Sequence, residues 1–286
     1  MNFDEAEQTT MLRDTLRRFV EKEMPRELAR TLDKSASHSR EAFSKLCELG
    51  VTALAVPEES GGSGVDILSA IVVIEELAKR GTSLAGPFIH CAFYGALNIL
   101  ENGNEAQKAD LLPKFARGEI LFAYGLSEPD VGGDLASATV TATLNPDGKS
   151  VVINGTKRWV TGARIADYVY TLVRSGPKAE RYGNLSLVLV PTNSRGLTIV
   201  DIDHIGLRYA ETTDVIFDDV TVPVESIVGG REAWNKGWPM LVGRGLDIER
   251  LEITATAFGI AAAAVADAWQ YSQERVQFGR KICSHQ

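Results

Sequence analysis

The chain has 286 residues, 44% hydrophobic and 24% charged, a composition typical of soluble globular proteins with room for about two domains. Its net charge of −8 argues against nucleic-acid binding, because phosphate recognition needs Lys and Arg gathered on one face. Uncharged apolar runs such as 67–74 fall short of the ~20 residues of a membrane span, and the acidic N-terminus has no targeting pattern.

The first region, residues 1–120, is predicted to be all-helical, because apolar residues recur at helical spacing from Thr9 to about Gly118. Helices are expected at 68–80, 90–101 and 105–117, with Pro113 as a break in the last. A strand-like run before the glycines at 61–64 suggests a dinucleotide-binding turn, but Ile67 occupies the place of the third glycine. A structural loop is therefore predicted there.

The second region, residues 121–230, alternates apolar and polar residues and is rich in β-branched side chains. Turn signals at 145–148 and 154–155 separate the runs, as hairpins require. This pattern predicts a central antiparallel sheet or barrel. With the helical regions on either side, the chain is expected to be an α+β multi-domain protein.

Helical character returns in the third region, residues 231–286, between Trp234 and Phe278. A continuous helix of about 40 residues would be roughly 60 Å long. Alanines cover much of its surface, and its packing partners are largely missing from this sequence, so we expect an incomplete C-terminal helical bundle, truncated or completed by other chains. One stripe of this helix carries four large apolar residues: Leu251, Phe258, Val265 and Trp269.

The three cysteines do not indicate a covalent or metal framework. Cys47, Cys91 and Cys283 are odd in number, widely spaced and without a CxxC or Cys/His pairing, so neither disulfides nor a zinc site are predicted. A reducing, cytoplasmic location fits this pattern best.

Two short stretches have the chemistry to bind a ligand. In YGLSEPDVGGD, residues 124–134, the glycines Gly132 and Gly133 allow close approach of backbone N–H groups to an oxygen, although a simple domain-joining loop has the same composition. In KRWVTG, Trp159 and Thr161 are expected on one face of a strand, where they suit a flat heterocycle or, alternatively, the core.

A third candidate is the charged group in GLDIERLEI. Asp247 and Arg250 stand three residues apart and can pair on one helical face, whereas Glu249 and Arg250 are adjacent and do not face each other. The spacing by itself favours an ordinary ion pair over a catalytic site.

Six stretches together resemble the acyl-CoA dehydrogenase family, in the order in which its members carry them. They are PEESGGSG, SEPDVGGD, WVTG, GLRYAETTDVIFDDVTVP, ERLEITATAFG and RVQFGRKI. The resemblance extends from the first helix to the last residue. It implies a helical domain, a β-domain and a C-terminal helical bundle that hold FAD between them, in a tetramer that is a dimer of dimers.

The resemblance also implies the flavin contacts. Tyr124, Leu126 and Ser127 would lie on the loop against the flavin ring, with backbone and hydroxyl contacts from the last two. Trp159 would stack near the ring and Thr161 would bond close to N5. These residue types suit a planar heterocycle with a polar edge.

Further implied contacts cross between subunits or reach the CoA moiety. Arg275 resembles the arginine that binds the FAD pyrophosphate of a neighbouring subunit, and Phe278 and Gln286 would touch the same cofactor. Arg250 matches an arginine near CoA, and Asp247 a pantetheine-contacting aspartate. At 133 the family usually has serine; Gly133 removes a hydroxyl that would contact the CoA arm.

The family reaction removes the α-proton of an acyl-CoA with a carboxylate while the β-hydrogen leaves as hydride to the flavin. In a minority branch the base immediately precedes the CoA arginine, a position that Glu249 occupies here. The alternative is that the base lies downstream of residue 286. Two other readings remain open: a non-catalytic or partner-dependent subunit, and an acyl-CoA oxidase or flavin monooxygenase. The implied electron acceptor of a dehydrogenase is an electron-transferring flavoprotein.

Overall fold

The computed structural model describes residues 4–208 and 210–285, with positions 244 and 245 described by their backbone only. Its N-terminal region is helical, as predicted. Side-chain caps begin three of the helices: Ser39 before α3, Asp66 before α4 and Asn104, in a capping box, before α7. The helices are α1 Glu7–Glu23, α2 Arg26–Lys34, α3 Arg40–Glu48, α4 Ile67–Ala78, α5 Thr82–Cys91, α6 Asn98–Asn102 and α7 Glu105–Ala116.

Several local predictions in this region need correction. The predicted break at Pro113 is wrong, because α7 continues through it to Ala116. The predicted helix at 90–101 begins earlier, at Thr82, and passes through a π-helical turn at 92–97. The loop after α3 is built from 3-10 turns at 51–55 and 58–60, so the structural-loop interpretation of the glycine stretch is confirmed.

Two helical stretches are long and apolar enough to cross a membrane by length and composition alone. Thr82–Asn102 has a mean hydropathy of 1.3 and is 89% buried inside the protein, which is the behaviour of a core helix. Gly237–Glu274 is 22% buried over its most apolar window. The prediction that uncharged apolar runs fall short of the length of a membrane span is therefore wrong, and its burial marks Thr82–Asn102 as a core helix of the protein.

The central region is one mixed sheet. Its strands follow the order β1-β4-β2-β3-β7-β6, with β5 paired to β4. Most neighbours are antiparallel, as predicted, but β1 and β2 both run parallel to β4. The strands are β1 Phe122–Gly125, β2 Thr141–Leu144, β3 Ser150–Thr161, β4 Tyr168–Arg174, β5 Leu185–Pro191, β6 Leu197–Ile202 and β7 Thr212–Pro223. One apolar core runs through the helices and the sheet without interruption.

The C-terminal region is helical, but its long helix is shorter than predicted. A short helix, α8 Gly237–Val242, precedes α9 Arg244–Glu274, which has 31 residues. The chain then forms a two-stranded hairpin, β8 Val276–Gln277 and β9 Arg280–Lys281. The α+β architecture with helical regions around a sheet is therefore confirmed.

Helix α9 packs against α4 through small residues. A side chain at Gly259 would place its Cβ 2.3 Å from the Glu75 carbonyl oxygen, so only glycine permits this approach. Ala255 and Thr256 are buried on the same face. The predicted apolar stripe points away from α4 and is 52–69% exposed: Leu251, Phe258, Val265 and Trp269.

Candidate active site

A cleft of about 200 Å³ lies where the helical region, the sheet and α9 meet. Six of its eight lining residues are among those implied by the sequence, although they come from β1 and the loop after it, from β3 and from α9. The lining residues are Tyr94, Tyr124, Leu126, Ser127, Arg158, Trp159, Thr161 and Glu249.

The Trp159 side chain is presented by a bulge in β3. The pairing of β3 with β7 shifts register between Lys157 and Val160, and Trp159 has a left-handed φ of 61°. The ring remains 57% exposed. Simple strand alternation was therefore the wrong reason to place Trp159 with Thr161, but the bulge brings both to the cleft.

The hydroxyl of Thr161 is fixed by a 2.6 Å hydrogen bond with the Thr212 hydroxyl on β7. Gly162, at φ 75°, follows at a point where an added Cβ would lie 2.7 Å from the buried His90 ring. The glycine of the WVTG stretch thus lets the end of β3 press against the helical region. This contact holds one wall of the cleft in place.

A buried ion pair supports the loop that follows β1. The Lys157 ammonium is fully buried and donates to the Leu126 carbonyl oxygen at 2.9 Å and to Glu128 Oε1 at 2.8 Å. Glu128 also accepts from the Thr139 N–H at 2.7 Å and the Val140 N–H at 3.0 Å. Leu126 and Ser127 are therefore held against β3.

The pKa values of Lys157 and Glu128 are set by burial and by the charge of the partner group. Burial lowers the pKa of Lys157 to about 8, against the opposing effect of the Glu128 carboxylate. Burial also acts to raise the pKa of Glu128, but the Lys157 ammonium and the donors around the carboxylate bring that pKa below its ordinary value. Both groups are charged at neutral pH.

Stacked tyrosines form the wall of the cleft toward the helical region. The rings of Tyr94 and Tyr124 lie 4.1 Å apart at 17°. The Tyr124 hydroxyl accepts a hydrogen bond from the Asn98 amide. Burial raises the pKa of Tyr124 well above its ordinary value, so this phenol keeps its proton.

Two carboxyl groups on α9 lie near this wall. Glu249 is half-buried in the cleft, and burial raises its pKa, against the opposing effect of Arg250. Glu252, three residues further along, is 1% exposed and accepts a 3.2 Å hydrogen bond from the Tyr94 hydroxyl. Burial raises the pKa of Glu252 to about 8, opposed by Tyr94 and reinforced by Glu249.

The amino-acid sequence matches all three domains of one enzyme family. The acyl-CoA dehydrogenase N-terminal domain matches residues 6–119, the middle domain 123–220 and the C-terminal domain 235–286. The chain belongs to the acyl-CoA dehydrogenase family. Members of this family are oxidoreductases and flavoproteins.

Individual acyl-CoA dehydrogenases agree with this assignment. The probable acyl-CoA dehydrogenase YngJ of Bacillus subtilis is 34% identical, over 100% of this chain and 74% of that protein. The structure of butyryl-CoA dehydrogenase from Megasphaera elsdenii has a TM-score of 0.90 and 31% identity, covering 99% of this chain and 73% of that one. An acyl-CoA dehydrogenase from Bacillus anthracis complexed with FAD has a TM-score of 0.86 and 29% identity, covering 98% and 46%.

Other residues implied by the acyl-CoA dehydrogenase resemblance lie outside the cleft. Asp247 and Arg250 form the predicted ion pair, at 2.8 Å, and both side chains are more than 70% exposed. Gly133 is exposed with open space around its Cα, so no steric contact requires glycine there.

The residues implied to reach a neighbouring subunit lie at the far end of α9. Between Glu249 and the end of this helix lie 25 residues, or about 38 Å. Arg275 follows directly, and Phe278, 96% exposed, occupies the turn of the hairpin. Neither lines the cleft of its own chain. Gln286 lies outside the described residues.

Five residues of this candidate site were not predicted from the sequence. Glu252 had a usable signal, because positions three apart on a helix share a face with Glu249. Lys157 and Arg158 belong to the KRWVTG stretch, but no role was predicted for them. In the structure Arg158 forms an ion pair with Asp214 through two hydrogen bonds of 2.8–2.9 Å. Tyr94 and the pairing of Glu128 had no signal, since both depend on contacts between distant segments.

Proposed function

We propose that this chain catalyses the flavin-dependent α,β-dehydrogenation of an acyl-CoA thioester. The observation that carries the proposal is the meeting, in one cleft, of Glu249 with Trp159, Thr161 and the loop at 126–127. An open tryptophan face beside two hydroxyl-bearing residues fits a planar heterocycle with a polar edge. Among the described residues the Ser127 hydroxyl has no hydrogen-bond partner, so it is available to a ligand.

FAD, when bound, would accept the β-hydrogen of the substrate as hydride. Leu126 and Ser127 would hold the flavin ring from the loop, with Trp159 and Thr161 beside it. Glu249 would remove the α-proton of the thioester. Its half-burial suits a general base, because a raised pKa brings proton affinity closer to neutral pH.

The proposed setting of this chemistry is fatty acid metabolism in the cytoplasm. Arg275 and Phe278 would serve the FAD of a neighbouring subunit in a homo-oligomer arranged as a dimer of dimers. Their distance from the cleft of their own chain supports this part of the proposal. An electron-transferring flavoprotein is the proposed acceptor, and Asp247 and Arg250 the proposed contacts to the CoA moiety.

The test is the visible spectrum of the purified protein, followed by anaerobic addition of butyryl-CoA. We expect a yellow protein whose flavin absorbance is bleached by the thioester. Glu249→Gln should slow bleaching at least 100-fold, about the lower limit for general-base catalysis, whereas Glu274→Gln on the same helix should not change it.

The same preparation separates the alternatives. Undiminished bleaching in Glu249→Gln would refute the role of Glu249 as base. A colourless protein that binds no FAD would refute catalysis by this chain alone and favour a partner-dependent subunit. Rapid reoxidation of the bleached flavin by air would favour an acyl-CoA oxidase.

A further inference from the structure

A second cavity, of about 80 Å³, lies beside the cleft and shares Tyr94 and Thr161 with it. Its volume holds only a few non-hydrogen atoms. Most of the lining surface is apolar, but the residues that form it include a carboxyl, a phenol and three threonine hydroxyls. These polar side chains are Thr82, Tyr94, Thr161, Glu252 and Thr256.

The carboxyl of Glu252 is only partly satisfied. Its Oε1 accepts the hydrogen bond from Tyr94. Its Oε2 is buried and has no hydrogen-bond partner within the part of the chain that the structure describes. Buried polar atoms are normally paired, so an unpaired carboxyl oxygen on a residue that lines a cavity marks a place where a ligand group can bind.

The position of Glu252 relative to Glu249 indicates which part of the substrate could reach its carboxyl group. Three residues on a helix correspond to about 4.5 Å along the axis. An acyl chain with its α-carbon at Glu249 therefore reaches Glu252 within about four bonds. Because its pKa is raised, the Glu252 carboxyl is largely protonated at neutral pH, so it can both donate and accept a hydrogen bond.

We propose that Glu252 is a specificity-determining residue, which binds a polar hydrogen-bonding substituent on the short acyl chain of the substrate. The proposal rests on the proposed function, because it takes Glu249 as the base and the cavity as the end of the acyl site. A hydroxyl or carbonyl on the chain would complete the hydrogen bonding of Oε2. A plain alkyl chain would leave that oxygen unpaired and bind less well.

The test compares butyryl-CoA with 4-hydroxybutyryl-CoA on the FAD-loaded protein. We expect the wild type to favour the hydroxylated substrate at least about tenfold in kcat/KM, since a site built for a polar group rejects the analogue that lacks it. Glu252→Gln, which keeps a donor and an acceptor, should retain most of this preference. Glu252→Leu should abolish or reverse it, and Glu21→Leu, an exposed carboxyl on α1, should leave it unchanged.

Binding provides a second measurement that needs no turnover. Calorimetric titration with crotonyl-CoA and 4-hydroxycrotonyl-CoA should give the same order of preference in the wild type and lose it in Glu252→Leu. If the wild type prefers the unsubstituted thioesters, the inference is wrong even if a variant fails to fold. A ratio unchanged by Glu252→Leu would likewise overturn it.

The two proposals fail in different ways. Selective binding without flavin reduction by either substrate would count against the proposed function and leave Glu252 as the determinant of binding. Flavin reduction with no preference between the substrates would count against Glu252 alone.

Discussion

Glu249 and Glu252 lie three residues apart on α9 and line different spaces, the cleft and the smaller cavity beside it. Burial raises the pKa of each, and that of the more deeply buried Glu252 to about 8. Glu252 is thus held largely in its neutral form at neutral pH. One helical turn would thus provide the proposed base and the proposed hydrogen-bonding group from the same residue type.

The rate of flavin reduction should therefore depend on pH through Glu249. A base must be deprotonated to act, so kcat/KM for butyryl-CoA is expected to rise with pH through a midpoint above the ordinary carboxyl value of 4.5. Anaerobic stopped-flow reduction between pH 5 and 8 measures this. Glu249→Asp should keep the rise at a lower rate, and a flat profile in the wild type would contradict the assignment.

Glu252 should make the ligand-free protein less stable as pH rises. Its pKa is raised on folding, from 4.5 to about 8, so its stability contribution is complete below the unfolded value and is lost between the two values. Relative to wild type, Glu252→Gln should gain up to about 4 kcal/mol of unfolding free energy between pH 5 and pH 8.

Urea unfolding of the two proteins at both pH values gives this difference directly. Other carboxyl groups titrate in the same range, but they contribute equally to both proteins and cancel. A difference that does not change with pH would mean that the Glu252 carboxyl ionises normally in the folded state.

At the scale of elements, β3 joins the two walls of the cleft. The strand carries Trp159 within a bulge and Thr161 just after it, and it places Lys157 beneath the loop at 126–128. The alternating sequence pattern predicted strand structure here, but the predicted turn at 154–155 is wrong, because β3 continues through both residues. The sequence pattern could not predict the bulge either, because an extra residue in one strand is recognised only from its pairing with the partner strand, here β7.

Removing the buried cation should loosen this element. Lys157→Met leaves Glu128 buried without its counter-ion, and we expect a loss of about 3 to 5 kcal/mol in unfolding free energy and weaker FAD retention. Lys149→Met, at an exposed site next to β3, should change neither quantity. Chemical denaturation and the ratio of flavin to protein absorbance test this.

The double variant Lys157→Met, Glu128→Gln sharpens the result. This variant removes both charges, so no isolated charge remains buried. It should therefore recover part of the stability that the single variant loses. If the single and double variants were equally unstable, the loss would reflect packing of the lysine side chain.

At the scale of the whole molecule, α9 has two unlike sides. The side that faces α4 has small residues, with Gly259 in close contact with that helix. The opposite side exposes large apolar residues. Periodicity predicted a helix and a surplus of apolar surface. It did not predict where the helix ends, because the hairpin has only two residues in each strand.

Arg275 should contribute to FAD retention in the assembled protein. Arg275→Ala would remove charge-assisted hydrogen bonds to a neighbour's cofactor, so FAD affinity is expected to fall at least about tenfold. Arg280→Ala, in the next strand of the same hairpin, should have little effect. Gel filtration with flavin detection measures retention, and equal losses in both variants would argue for general damage to the hairpin.

The three regions of the chain follow from residue periodicity, but their mutual arrangement does not. Trp159 and Glu249 are 90 positions apart in the sequence, and no pattern of spacing indicates that they share a cleft. The family resemblance supplied that juxtaposition. Tyr94 and Glu252, which the resemblance did not name, needed the packing of α9 against the helical region.

The exposed ring of Trp159 also allows occupancy of the cleft to be followed by tryptophan fluorescence. Of the four tryptophans, Trp159 alone lines the cleft, with 57% of its surface exposed. A flavin seated beside it would take up its excitation energy and quench its fluorescence. Emission lost in the wild type but kept in Trp159→Phe would report cofactor loading in real time.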